Sequence, residues 1–276
     1  MPWESVKEDV ARALKEDLGP GDLSSLFLED KKASALILCR EEAVLCGIPW
    51  VEEVFSFLEG RAKIEWFKKE GEDIHPQEVI CRIEAGAHAL LAGERTALNF
   101  LQLLSATATA TRLAVAQVAG TGAEIYDTRK TIPGLRAAQK YAVRVGGGKN
   151  HRMGLFDAVL LKENHIAEAG GVAKAFLLAK KNLPSGFAIE VEVEDLQELE
   201  EALTSGANLI LLDNFSLDDM RRAADLARGG AILEASGNIT LENLPEVAKT
   251  GVQRISMGSL TKNIQAVDFS LRMLSC

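Results

Sequence analysis

"AIEVEVEDLQELEEALTSGANLILLDN", residues 188–214, holds two short apolar runs with an amphipathic segment between them. The runs are strand-length and close on acids, Glu192 and Asp213. A helix between two strands returns the chain to the same end of the sheet, so the strands run parallel with a right-handed crossover. The rhythm extends both ways. Upstream stand "EIYDT" (124–128) and "AVLLKEN" (158–164), downstream "AILEASG" (231–237) and "VQRISMG" (252–258). Each is followed by a turn and an amphipathic segment, such as "LRAAQKYAVRVG" or "SLDDMRRAADLARG". Six such units fit an α/β barrel or an open doubly wound sheet. They are fewer than a full barrel's eight, so a barrel here is incomplete or has a strand the pattern hides. No GxGxxG follows the first strand, which leaves a dinucleotide site unsupported.

Before residue 107 the pattern differs. Short strands "ASALILC", "EEAVLCG", "AKIEWFKK" and "EVICRIEA" come in a run, with a helix "PWVEEVFSFLEG" between the second and third and "KEGEDIHP" as a turn. Such a run predicts an α+β layer, a sheet covered on one face. "LLAGERTALNFLQLLSATATATRLAVAQVAG" (90–120) reads as the helical bridge to the second part. The opening "MPWESVKEDVARALKEDLG" has acids where a signal peptide needs cations and reads as an amphipathic helix with Val6, Val10 and Leu14 on one face.

With 47% hydrophobic and 26% charged residues over 276 positions, the chain is expected to fold as a soluble protein with a sizeable core. Cys39, Cys46, Cys81 and Cys276 form no CxxC pair, as expected of structural thiols in a reducing cytoplasm. A net charge of -9 argues against nucleic-acid binding. Against that background the segment Thr128–Lys162 is anomalous, with eight cations and one acid, Asp157. A small anionic ligand is the simplest compensation for such a cluster.

Polar residues stand where each apolar run stops: Arg129 and Lys130, Lys162, Glu192, Asp213, Ser236, Gly258. In a parallel barrel these positions share the carboxyl-terminal rim, where such folds place their chemistry. Lys162 alone is equally the first solvated residue past a buried strand. Arg136, Lys140 and Arg144, spaced i, i+4, i+8, read as a solvated helix face, and His75 and His88 as surface or cap residues. His151 stands apart, because "GGGKNHR" lets backbone approach closely beside Lys149 and Arg152. "EASGN" and "SMGSLTKN" place small residues before helices, where free backbone N–H groups bind phosphate. Glu192 and Asp213 suit either Mg²⁺ or a developing positive charge. The rim therefore fits a phosphorylated sugar with a metal, next to a polycarboxylate.

"GERTALNFLQLLS", "DTRKTIPGLRAAQKYAVRVGGGKNHRMGL", "LLKENHI", "EVEVE", "LLDNF" and "EASGNI" together resemble the quinolinate phosphoribosyltransferase family, from about residue 90 to the end. The resemblance implies an N-terminal α+β open sandwich (1–107) followed by an incomplete α/β (TIM-like) barrel (108–276), with the extreme C-terminus free to pack back on the first domain. It also implies a cytoplasmic homodimer that uses Mg²⁺ in NAD biosynthesis. Quinolinate and phosphoribosyl pyrophosphate would give nicotinate mononucleotide, pyrophosphate and CO2. Arg129, Arg152 and Lys162 would then bind quinolinate, with His151 alongside and Arg95 from the neighbouring subunit, and Thr128 would be a further substrate-binding residue. Lys130 would meet the pyrophosphate, and Glu192 and Asp213 the ribose and its metal, these three being the catalytic set. Ser236, Gly237, Asn238, Gly258 and Ser259 would cradle the 5′-phosphate. Three alternatives stay open: a relative associated with molybdate transport, which shares "TRKT" but lacks "LLKENH"; a Schiff-base aldolase using Lys162; and a non-catalytic anion-binding module.

Overall fold

The computed structural model describes residues 3–184 and 186–274; Cys276 lies outside them. In chain order the elements are α1 (Trp3–Leu18), β1 (Lys32–Cys39), β2 (Ala43–Val44), α2 (Ile48–Leu58), β3 (Lys63–Trp66), β4 (Asp73–Ile74), β5 (Val79–Gly86) and α3 (Ala87–Gln117). The second part holds β6 (Glu124–Tyr126), α4 (Arg136–Val145), β7 (Val159–Leu161), α5 (Glu163–Ala169), α6 (Val172–Asn182), β8 (Ile189–Val193), α7 (Leu196–Ser205) and β9 (Leu209–Asp213). It ends with α8 (Leu217–Leu226), β10 (Ile232–Ser236), α9 (Leu244–Ala248), β11 (Arg254–Ser256), α10 (Ser259–Lys262) and β12 (Phe269–Leu274). Two compact units divide the chain, and neither is continuous. One comprises Met1–Arg112, Ile132–Gly147 and Thr261–Cys276, the other Leu113–Thr131 and Gly148–Leu260. Residue 107 falls inside α3, which carries the chain from the first unit into the second.

The first unit is built on an antiparallel sheet of order β12-β1-β5-β3. Side chains alternate across a strand, so Ala35 and Ile37 of β1 share a buried face with their partners Ile83 and Cys81 of β5. The other face carries Ser34, Arg82 and Glu84, with an Arg82–Glu84 ion pair at 3.3 Å, and makes the sandwich open. Val6, Val10 and Leu14 of α1 enter the core as their spacing predicts. β4 is a two-residue strand inside the stretch expected to be only a turn. α3 stays helical through its Ser/Thr run because those hydroxyls have partners. Thr111 Oγ1 bonds back to the Thr107 carbonyl at 2.8 Å, and Ser105 Oγ accepts the Cys46 N–H at 3.0 Å.

One helix departs from the expected alternation. α4 follows β6 in sequence but belongs to the first unit, where Ala138 and Ala142 join the core and Tyr141 lies 5.5 Å from Trp50. Its cations are not one solvated face: Arg144 is exposed, whereas Lys140 is only 1% exposed. A helix packed on more than one side buries charged positions that i, i+4 spacing alone assigns to water.

The second unit is a six-stranded parallel sheet of order β6-β11-β10-β9-β8-β7. Val191, Val193, Ile210, Leu212, Leu233 and Ala235 are fully buried on one face. Asp195 caps α7 by accepting the Glu198 N–H at 2.8 Å, and Ser216 caps α8 by accepting that of Asp219 at 3.1 Å. Among the described residues, the sheet gains beyond β6 only a bridge, Tyr126 to Lys149, where a further strand of a closed barrel would begin. Among the described residues no helix is long and apolar enough to cross a membrane.

Candidate active site

The face of the parallel sheet opposite those buried apolar residues follows from the period of two. β8 presents Glu190 and Glu192, β9 Leu211 and Asp213, β10 Glu234 and Ser236, while Leu160 and Lys162 continue the same side of β7. Residues at the ends of all six strands border a single cavity of about 430 Å³. A sheet whose six strands surround one cavity is curled, which makes it an incomplete barrel.

One side of the cavity is cationic. Arg129 and Lys130 follow β6, and the Lys130 N–H donates to Thr128 Oγ1 at 3.0 Å, tightening the turn. Fully buried Asp127 ties this turn to the glycine-rich loop, accepting the His151 N–H at 2.8 Å and Asn150 Nδ2 at 2.6 Å. Arg152 donates to the Ala158 carbonyl at 3.1 Å. Burial, and then the charge of Arg129, hold the Arg152 guanidinium below its ordinary pKa. Two guanidiniums that repel each other in a partly buried wall are stabilised by an anion placed between them.

A carboxylate band lies next to that wall. Glu192 Oε2 meets Lys162 Nζ at 2.5 Å, and the Lys162 N–H is held by His165 Nδ1 at 3.0 Å at the start of α5. Pairing Lys162 as a cation is the opposite of what a Schiff-base amine needs. Asp213 accepts from Asn214 Nδ2 at 2.8 Å. Asn214 also receives Asn238 Nδ2 at 3.1 Å, stitching the turns after β9 and β10 together.

The Ser236–Asn238 turn was expected at a helix N-terminus, but α9 starts only at Leu244. Its N–H groups are presented by a turn in which Gly237 has φ +92 and Asn238 φ +49. A Cβ on Gly237 would collide with the Asn214 side chain. Gly237→Ala is therefore expected to raise KM for an anionic phosphate ligand at least tenfold, whereas Ser236→Ala stays within a few-fold. Steady-state kinetics on the two variants checks this, and equal effects would contradict it. α10, in contrast, does begin at Ser259, and a Cβ on Gly258 would come within 2.9 Å of the Lys130 side chain.

The family model for the quinolinate phosphoribosyl transferase C-terminal domain matches residues 107–272, and that for the N-terminal domain residues 22–105. The chain belongs to the quinolinate phosphoribosyl transferase family. A probable nicotinate-nucleotide pyrophosphorylase [carboxylating] of Bacillus subtilis (strain 168) is 42% identical over 93% of this chain and 89% of its own length. The solved nicotinate-nucleotide pyrophosphorylase of Francisella tularensis superposes with a TM-score of 0.96 at 44% identity, covering 99% of this chain and 98% of its own. That of Ehrlichia chaffeensis gives 0.93 at 40%, covering 97% and 98%.

Of the positions the family resemblance suggests, Thr128, Arg129, Lys130, His151, Arg152, Lys162, Glu192, Asp213, Ser236, Gly237 and Asn238 all line the cavity. Gly258 lies against Lys130 and Thr128 at its edge. Arg95 is exposed on α3, in the first unit. The sequence reading passes over four residues that the geometry makes prominent: Asp127, Glu190, Asn214 and Glu234. Glu190 and Glu234 are the i−2 neighbours of Glu192 and Ser236, so strand alternation alone could have placed them beneath the rim.

Proposed function

We propose that this chain transfers the phosphoribosyl group of phosphoribosyl pyrophosphate to quinolinate with decarboxylation, yielding nicotinate mononucleotide, pyrophosphate and CO2 for de novo NAD biosynthesis. The observation that carries this reading is a single cavity with Arg129, Arg152 and Lys162 on one side, the Ser236–Asn238 turn on another, and Glu192 and Asp213 with them. Two arginines and a lysine match a dicarboxylate, since a guanidinium pairs with a carboxylate through two parallel hydrogen bonds. His151 adds a polar edge to that wall. The turn's backbone N–H groups, with Gly258 and Ser259, suit a terminal phosphate, and Lys130 suits the pyrophosphate.

The chemistry follows from where charge appears. As pyrophosphate leaves C1 of the ribose, positive charge grows on the sugar, next to Glu192 or Asp213. Lys130 offsets the negative charge of the departing group. The pyridine nitrogen takes the vacated bond and becomes cationic. Its positive charge then stabilises the electron pair left on C2 when the adjacent carboxylate leaves as CO2, and a proton from solvent completes the C2–H bond of the product, so no covalent enzyme intermediate is required. Glu192 and Asp213 supply the hard oxygen donors that Mg²⁺ prefers, and the side chain of Glu192 is only 13% exposed. When bound, the metal would neutralise phosphate charge. We place the enzyme in the cytoplasm as a homodimer, each subunit lending Arg95 to the other's cavity, which accounts for an exposed arginine on a helix outside the barrel unit.

Nicotinic acid, which lacks the 2-carboxylate, should be turned over with kcat/KM lower by roughly 10²–10⁴, because it leaves part of the cationic wall unpaired. Parallel assays with both acids test the reading. Comparable rates would contradict it.

A further inference from the structure

Beneath the charged rim lies a second, buried layer, of which Glu234 and His151 border the cavity. Glu190 and Glu234 sit one side-chain repeat below Glu192 and Ser236 on β8 and β10, about 6.6 Å deeper. Their side chains are 4% and 0% exposed, and the His151 ring reaches between them. His151 Nε2 is 2.7 Å from Glu190 Oε2 and 3.4 Å from Glu234 Oε1. With Glu190 as a carboxylate, which only accepts, the first distance places a proton on Nε2. The same residue's backbone N–H is clamped by Asp127, so carboxylates hold both its main chain and its ring.

This arrangement is expensive. Two carboxyls in a barrel interior lose hydration, and apolar residues would fill the same space without that cost. Burial, and next the charge of Glu190, push the Glu234 carboxyl up, while His151 opposes the shift. Among the described residues Glu190 Oε1 and both Glu234 oxygens have no hydrogen-bond partner, so Glu234 faces the His151 ring as a neighbouring charge and not as a hydrogen-bond acceptor. Neither acid suits direct contact with a dicarboxylate, which it would repel. His151 is the residue of the cationic wall that meets both of them.

We propose that Glu190 and Glu234 are positioning residues for the dicarboxylate end of the cavity: they fix the His151 ring, with its proton on Nε2, against the wall formed by Arg152 and Arg129. This rests on the phosphoribosyl-transfer reading above. The two acids act through His151, so their effect belongs to quinolinate and not to phosphoribosyl pyrophosphate.

A double-mutant cycle on the full-length chain tests it. Wild-type turnover of quinolinate is measured first, and its absence would sink the transfer reading rather than this one. Glu190→Gln and Glu234→Gln should each raise KM for quinolinate about tenfold or more, with KM for phosphoribosyl pyrophosphate within about twofold. In a His151→Ala background the same substitutions should cost less than about twofold further, because the group they act through is gone. Equal costs in both backgrounds, or equal rises in both KM values, would overturn the proposal. If the glutamine variants do not fold, wild-type protein carries the test. Long-range ¹H–¹⁵N spectra of histidine-labelled enzyme should show His151 protonated at Nε2, its signal identified by its loss in His151→Gln. A ring protonated only at Nδ1 would overturn the assignment. So would a stoichiometric transition metal in the purified protein, since the three groups have ligand atoms within 4.8 Å of one another and a metal would displace that proton.

Discussion

Arg152→Ala is expected to weaken quinolinate binding by roughly 2–5 kcal/mol, the range for removing one partner of a buried charge pair. The guanidinium is partly buried, anchored on the Ala158 carbonyl and placed near Arg129. Removing it takes away one of the two guanidiniums proposed to hold the acid groups, and Arg129 alone would not span both. Phosphoribosyl pyrophosphate should bind almost as before, because the Ser236–Asn238 turn and Lys130 do not depend on Arg152. Calorimetry with each ligand separately distinguishes the two effects. Loss of both ligands together would mean that the substitution disturbs the loop held by Asp157, whose carboxylate accepts the Met153 and Gly154 N–H groups at 2.7 and 3.0 Å.

The second large effect concerns assembly. Arg95→Ala and Lys162→Ala should each be nearly inactive as homodimers. If each subunit lends Arg95 to its neighbour, a mixed dimer concentrates both lesions in one cavity and leaves the other whole. Random re-pairing makes about half of the dimers mixed, so roughly a quarter of wild-type turnover should return. Dissociating the two variants together, reassembling them at equal ratio and assaying the product measures this. No recovery in the presence of mixed dimers, verified by native mass spectrometry, would place Arg95 outside any shared site.

Much of the barrel was legible because parallel strands obey two local rules. Short apolar runs alternate with amphipathic segments, and the residue that ends each run points to one rim. Lys162, Glu192, Asp213 and Ser236 are found at that rim for this reason alone. Alternation could place Glu190 and Glu234 below the rim but not reveal that they are buried. A charged residue inside "EVEVE" reads as the solvated face of a strand, and only closure of the sheet turns that face inward. α4 misled for a related cause: its periodicity specifies a buried stripe but not which core receives it. The Ser236–Asn238 turn is read from sequence as a helix start because small residues before a helix look alike whether the helix begins at once or several residues later. Asp127 ends an apolar run like the others, but its fully buried carboxylate is spent on backbone and Asn150 hydrogen bonds, a role no spacing announces.

One cavity is expected to couple ribosyl transfer to loss of the 2-carboxylate. The most direct measurement follows quinolinate labelled in that carboxylate, mixed with phosphoribosyl pyrophosphate and Mg²⁺, counting released CO2 and pyrophosphate in the same reaction. Equal amounts at every time point, with neither product formed when phosphoribosyl pyrophosphate is omitted, are predicted. Pyrophosphate released without CO2, or CO2 released without pyrophosphate, would contradict the account.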